Sequence, residues 1–173
     1  MEFSEEQARA VVNTYRSTYS GIKTLWTKLE DLLRQTLHRD NYGNTYGPLT
    51  VDHHALILPN GMALRYHNLR HSMDGLVFDS KGKTEYTYGG KICENVVQAL
   101  SRIIITDSML RLDKSMPDAR IALTVHDEIV IIAPDTHPHA TMEKIIDDMC
   151  QAPSWAPDIP LDAEGGFDTR YSK

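Results

Sequence analysis

The stretch "IALTVHDEIVIIAP", Ile121 to Pro134, sets apolar residues on both sides of His126, Asp127 and Glu128. A run this rich in Ile, Val and Leu reads as buried sheet, yet charge taken out of water is costly unless paired, hydrogen-bonded or bound to metal. A hairpin resolves the conflict: two buried apolar strands with the polar triplet at the exposed tip. Ile121, Leu123 and Val125 are then expected on one side, with Ile129 and Ile131 resuming the pattern after the turn. A carboxylate on such a rigid element is well suited to hold a metal ion. In isolation, the same triplet is also an ordinary polar turn.

Outward from this run, the chain reads as α+β. "FSEEQ" starts a helix, with Ser4 as N-cap and Gln7 closing a capping box. Ala8, Val11, Val12, Tyr15 and Tyr19 follow on one face as expected core, with a bend at Gly21 and a second stripe through Ile22, Leu25, Trp26, Leu29 and Leu33. "NYGNTYGP", residues 41–48, is turn chemistry. "ALILPNGMALRY", residues 55–66, reads as a hairpin about Asn60-Gly61. "FDSKGKTEYTYGG" is either a second hairpin or a loop. A long helix is expected over about Lys91 to Leu112, a further helix near Ala140 to Cys150, and a last strand at "IPLDAEG". Hairpins with helices set apart from them indicate an antiparallel sheet.

The 173 residues carry 41% hydrophobic and 24% charged side chains, the balance of a soluble globular chain. No apolar run approaches the roughly 20 residues of a membrane span, and "MEFSEEQARA" is no signal peptide. No membrane partner is expected. Cys93 and Cys150, without CxxC spacing, read as free thiols of a cytoplasmic protein. The net charge of −6 argues against a domain that merely coats nucleic acid, but not against a nucleic-acid enzyme with a carboxylate cluster. His67 and His71 have helix-face spacing and His53 and His54 are adjacent, but no thiolate or carboxylate motif makes either pair a zinc site.

In "KICENVVQALSRIIITDSML", Ile92, Val96, Ala99, Leu100 and Ile103 share an apolar helix face. Lys91, Glu94, Asn95, Gln98 and Arg102 share the opposite arc of roughly 100°. Taken alone this is a solvated face. It also suits a polynucleotide: Lys and Arg position phosphates, while amides reach the minor-groove acceptors that every base pair offers.

Taken together, the "QAL" helix and the "VHDE" hairpin about 30 residues later resemble the family A (polymerase I-like) DNA polymerases, in particular their bacteriophage branch. "TYGGKICENVVQALSR" is similar to the segment before motif C of that family, and "LTVHDEIVI" to motif C itself. "LPNGMALRY" resembles the family's "LPSGR.L.Y" stretch, with Met62 where a basic residue is common. "SEEQARAVVNTYRSTYSGIKTLW" resembles the helices downstream of the nucleotide-binding helix of the fingers. The tail "IPLDAEGGFDTRYSK" resembles the family's C-terminal strand and end. The resemblance runs in order along essentially the whole chain. It implies a helical fingers–palm junction over residues 1–40 and a palm fragment with the motif C hairpin over 41–173.

By the same resemblance, Asp127 is one of two aspartates that hold catalytic magnesium (Mg²⁺) for two-metal nucleotidyl transfer, with Glu128 assisting the metal site and His126 holding the primer terminus. Gln98, with Asn95 or Glu94, lies along the minor groove, where bacterial members have an amide at the position of Glu94. Lys91, Arg102 and Arg70 are phosphate contacts. The implied partners are primer–template DNA and dNTP. This sequence holds neither a "DxSxxE"-like motif A nor the Arg-x3-Lys helix with Tyr-Gly of motif B. The expectation is therefore a C-terminal palm portion of a split or truncated polymerase, active when an upstream polypeptide supplies motifs A and B, with an open strand edge as the docking surface. Two alternatives stand beside it: a non-catalytic primer–template DNA-binding module, and a structural subunit.

Overall fold

The computed structural model describes residues 4–73 and 75–171. The chain is α+β with antiparallel sheets, and it divides into two compact units, residues 1–99 and 100–173. The elements of the first unit are α1 (Glu5–Thr18), α2 (Ser20–Gln35), a 3-10 turn at Arg39–Asn41, β1 (Thr45–Tyr46), β2 (Leu49–Asp52), β3 (Ala55–Ile57), β4 (Ala63–Arg65), β5 (Arg70–Ser72), β6 (Gly75–Ser80) and β7 (Lys83–Thr87). Helix α3 (Gly89–Ser115) runs through both units. β8 (Arg120–Val125), β9 (Glu128–Ile132) and α4 (Pro138–Met149) complete the second. Among the described residues, no helix is long and apolar enough to cross a membrane.

The local signals act where elements begin and turn. The Gln7 amide donates to Ser4 Oγ at 3.2 Å and the Ser4 amide to Gln7 Oε1 at 3.0 Å, which closes the capping box and starts α1. The helix breaks at Tyr19 (φ −107°, ψ 50°) rather than at Gly21, which falls inside the first turn of α2. At Asn60-Gly61 the chain reverses as expected, with Gly61 at φ 81° and the Leu58 amide donating to Met62 O at 2.8 Å. "FDSKGKTEYTYGG" forms a hairpin, β6–β7, whose two turn residues Lys81 and Gly82 both have positive φ, the geometry that matches strand twist.

Strands β1 to β4 form a four-stranded meander, and β5 to β7 a three-stranded one. The core of the first unit joins Leu29, Leu32 and Leu33 of α2 to Leu49, Val51, Leu56, Tyr66, Leu76, Ile92 and Val96. Glu30 fastens α2 to the start of α3: its Oε2 accepts from the Gly89 amide at 3.0 Å. A Cβ on Gly89 would collide with the Trp26 carbonyl, so this junction admits only glycine.

The α1 stripe departs from expectation. No α1 residue is buried, and Val11, Val12, Tyr15 and Tyr19 are all about half exposed. The periodicity made an amphipathic helix, but nothing in the described chain covers its apolar face.

In the second unit, β8 and β9 pair as a two-stranded hairpin. Ile121 pairs with Ile131 and Leu123 with Val130, so Ala122 is an extra, bulged residue. Cross-strand partners share a face. One face therefore holds Ile121, Ile131, Thr124 and Ile129, and the other Leu123, Val125, Glu128, Val130 and Ile132. The expectation that Ile121 shares a face with Leu123 and Val125 is corrected by this bulge, which turns one residue's parity over. The strands are also less buried than expected. Ile121 and Ile131 line a small cavity with Leu112 of α3 and Met116 just after it, but Leu123 and Ile132 are 46% and 62% exposed.

The expected strand at "IPLDAEG" is absent. Pro157 and Pro160 remove backbone donors, and the tail runs beside α4 instead. There the Phe167 and His139 rings meet edge to face at 4.9 Å, and Gly165 leaves room for Met142.

Candidate functional site

The hairpin tip is a two-residue connection. Val125 pairs with Glu128, leaving His126 and Asp127 as the turn. His126 stands at φ 57°, the left-handed region that glycine usually fills at the first position of such a turn. A side chain there costs about 1–2 kcal/mol. His126 and Asp127 are exposed; Glu128 is half-exposed and lies on the same face as Leu123 and Val130. Among the described residues, the Asp127 carboxylate takes no hydrogen bond and no ion pair. Its oxygens are open to a ligand.

Carboxylate oxygens suit a hard cation such as Mg²⁺. Two carboxylates could supply only part of a coordination shell, and among the described residues no group of three or more His, Cys, Asp or Glu side chains could hold a metal ion. The donor chemistry fits magnesium, and the remaining donors would have to come from outside these residues.

The polar face of α3 separates into engaged and free members. Lys91 Nζ donates to Glu85 at 3.1 Å, and this bond holds the Glu85 carboxyl below its usual range. Asn95 Nδ2 donates to the Tyr66 hydroxyl at 3.3 Å and is half-buried. Burial raises the Tyr66 phenol above its ordinary value, partly offset by that bond. Gln98 is exposed and donates to Glu94 at 3.3 Å, one turn earlier. Arg102, one turn further along the helix, is exposed and makes no ion pair among the described residues. Arg70, the remaining sequence candidate, is tied down: it donates to Asp79 at 3.0 Å and to Thr84 Oγ1 at 3.0 Å. Bonds from Asn68 and Arg70 hold the Asp79 carboxyl below its ordinary range.

The structure thus brings His126, Asp127 and Glu128 to one turn, and Glu94, Gln98 and Arg102 to one helical row. Over 189 aligned positions the chain is 28% identical to a DNA polymerase of Bacillus phage SP02. The chain is similar along its whole length to a phage DNA polymerase. It spans 28% of that protein's length. No family model matches the chain, and no solved structure matches it.

Sequence reasoning missed the partners that decide which polar groups are free. Glu85, Asp79 and Tyr66 lie on strands or beside them, outside α3, and helical spacing carries no signal of them. Strand alternation in "GLVFDS" and "KTEYT" was the one usable clue: it places Asp79 and Thr84 on the same outer face as Arg70.

Proposed function

We propose that this chain is the C-terminal palm portion of a family A DNA polymerase, working with a polypeptide that carries motifs A and B. The observation that carries the reading is the free Asp127 carboxylate, held out on a strained hairpin turn in a chain similar to a phage DNA polymerase.

In this reading Asp127, assisted by Glu128, would hold Mg²⁺, which supplies positive charge at the reacting phosphates. His126 positions the primer terminus. Gln98, with Asn95 or Glu94 beside it, lies along the minor groove and tests pairing geometry through its amide. Arg102 is the first phosphate contact because it is free. Lys91 and Arg70 reach phosphate only by leaving Glu85 and Asp79. Residues 1–40 belong to the fingers–palm junction and 41–173 to the palm.

The uncovered apolar surfaces support a partner. The α1 stripe is open, and so are Leu123 and Ile132 on the hairpin face. Among the described hydrophobic side chains of residues 100–173, only Ile103 and Leu112 appear in the fully buried core apart from Pro153. A partner strand along the β8–β9 edge would extend this sheet and bring the second aspartate with it, and the polypeptide that carries the strand would cover the open face.

The test is reconstitution. The chain is purified alone and with the product of the neighbouring upstream gene, and primer extension is assayed with Mg²⁺. The pair is expected to extend the primer and the isolated chain is not. Robust synthesis by the isolated chain overturns the need for a partner. An inactive pair, together with indifference of DNA binding to Gln98→Ala and Arg102→Ala, overturns the polymerase reading.

A further inference from the structure

The β6–β7 hairpin carries a surface that the proposed catalytic role does not use. Tyr86 ends the exposed row of β7, and Tyr88 follows just before α3. Their rings stack with centroids 6.0 Å apart at 24°, and the residues are 49% and 52% exposed. Each ring lies against a glycine. A Cβ on Gly75 would meet the Tyr86 ring at 2.9 Å, and one on Gly90 would meet the Tyr88 ring at 3.0 Å. Two missing side chains therefore let both rings settle side by side, in similar planes, with area left open to solvent.

The charge around them favours a polyanion although the whole chain is acidic. The two acidic side chains of this hairpin, Asp79 and Glu85, are each neutralised, by Arg70 and Lys91. The lysines at its turn, Lys81 and Lys83, are exposed. Lys83, an odd number of strand residues from Tyr86, alternates to the opposite face, which leaves Lys81 on the turn itself as the nearer free cation.

We infer that Tyr86 and Tyr88 form a stacking platform for unpaired bases of a single-stranded polynucleotide, with Lys81 at the hairpin turn near its phosphates. Aromatic rings flanked by cations bind single strands without reading sequence, because every base has a stacking face. The choice of nucleic acid over a protein surface rests on the polymerase reading of α3. Gln98 lies about 13 Å along the helix from its start beside Tyr88, roughly four nucleotide spacings. The platform would then hold the unpaired stretch next to a duplex seated at Gln98.

Binding of a fluorescein-labelled oligothymidylate of about 16 nucleotides to the full chain, read by anisotropy at low salt, tests this. Tyr86→Ala and Tyr88→Ala are each expected to weaken binding about tenfold, while Tyr86→Phe and Tyr88→Phe stay within about twofold because the stacking face is kept. Gly90→Ala, which crowds the Tyr88 ring without removing it, is expected to weaken binding too and guards against an alanine variant that fails to fold. Unchanged affinity in the folded alanine variants overturns the platform, and so does an unmodified chain that does not bind the oligonucleotide. A blunt duplex run in parallel separates the two readings. If Gln98→Ala and Arg102→Ala leave duplex binding intact while Tyr88→Ala still weakens oligothymidylate binding, the polymerase reading of α3 falls and the platform stands.

Discussion

Arg111 grips Asp148 twice: its Nε donates to Asp148 Oδ1 at 2.9 Å, and a terminal nitrogen donates to the Asp148 carbonyl at 2.8 Å. The same nitrogen also donates to Ser108 Oγ at 3.0 Å. This joins the last turns of α3 to the end of α4 in a unit with few buried apolar side chains. Asp148 is 8% exposed, so losing the guanidinium leaves its carboxylate without a partner, while its carbonyl keeps the Gln151 amide. Arg111→Ala is expected to destabilise by about 2–3 kcal/mol, and Arg111→Lys by less, since the ammonium keeps a charge beside Asp148 although it cannot reproduce the fork. Urea unfolding followed by circular dichroism measures both. A loss below about 0.5 kcal/mol for the alanine variant would mean that the pair is no better than a solvated one.

The Thr87 hydroxyl is buried and, among the described residues, has no hydrogen-bond partner. An unpaired buried hydroxyl costs free energy that a methyl group does not. Thr87→Val keeps the shape and the β-branch that suits β7. It is expected to raise stability by about 1 kcal/mol, seen as a higher urea midpoint with an unchanged slope. A lower midpoint would show that the hydroxyl is bonded after all.

Burial lifts the Tyr66 phenol above its ordinary 10.0, with the Asn95 bond acting in the opposite sense. The sign follows from which state ionises first. Below pH 10 the phenol is neutral in both states and full stability is present. Above it the unfolded chain loses its proton first, so stability falls as pH rises towards the raised folded value. Tyr66→Phe is expected to flatten this alkaline loss, at a cost under about 1.5 kcal/mol at neutral pH for the bond from Asn95. Unfolding free energies measured from pH 8 to 11 test it, and an equally steep decline in the phenylalanine variant would contradict it.

What could be read from the residues beforehand was the local chemistry. Ser4 with Gln7, Asn60 with Gly61, and the apolar period of 89–115 each specify their element through interactions a few residues long. The hairpin about His126-Asp127 was legible too, because apolar strands cannot take a charged triplet into their middle. The bulge at Ala122 was not legible, since strict alternation and a one-residue slip give the same composition. The open stripe of α1 escaped for a different reason. A period of 3.6 tells which residues share a face, not whether anything covers it, and coverage depends on parts of the assembly outside the described residues. The tail at "IPLDAEG" resembled a strand, but a strand exists only with a hydrogen-bonded neighbour, and here α4 took its place. At the candidate site, helical spacing found the row Glu94, Gln98 and Arg102, yet the pairing of Lys91 with Glu85 and of Arg70 with Asp79 depends on strand register.

His126 sits in a backbone conformation that favours glycine. His126→Gly removes the steric penalty of about 1–2 kcal/mol but loosens the unfolded chain. The net expectation is a gain of about 0.5–1 kcal/mol in stability. On the proposed role of His126 at the primer end, the same variant in the reconstituted pair is expected to extend primers more slowly. Melting curves and extension rates on one preparation separate the two effects. A stabilised variant with full activity would leave the strain without a functional reason.

Asp127 offers the sharpest contrast between stability and function. Its carboxylate is exposed and, among the described residues, unpaired, so Asp127→Asn removes no interaction that holds the fold. Stability is expected to change by less than about 0.5 kcal/mol. Primer extension by the reconstituted pair is expected to fall at least about a hundredfold, since a neutral amide neither attracts nor orients Mg²⁺ as a carboxylate does. Glu128→Gln should cost less, in keeping with the assisting role proposed for it. Raising the Mg²⁺ concentration should recover part of the loss in Glu128→Gln and little of it in Asp127→Asn. Two results would count against the metal role: a marked drop in melting temperature for Asp127→Asn, which makes the carboxylate structural, or full activity at ordinary Mg²⁺.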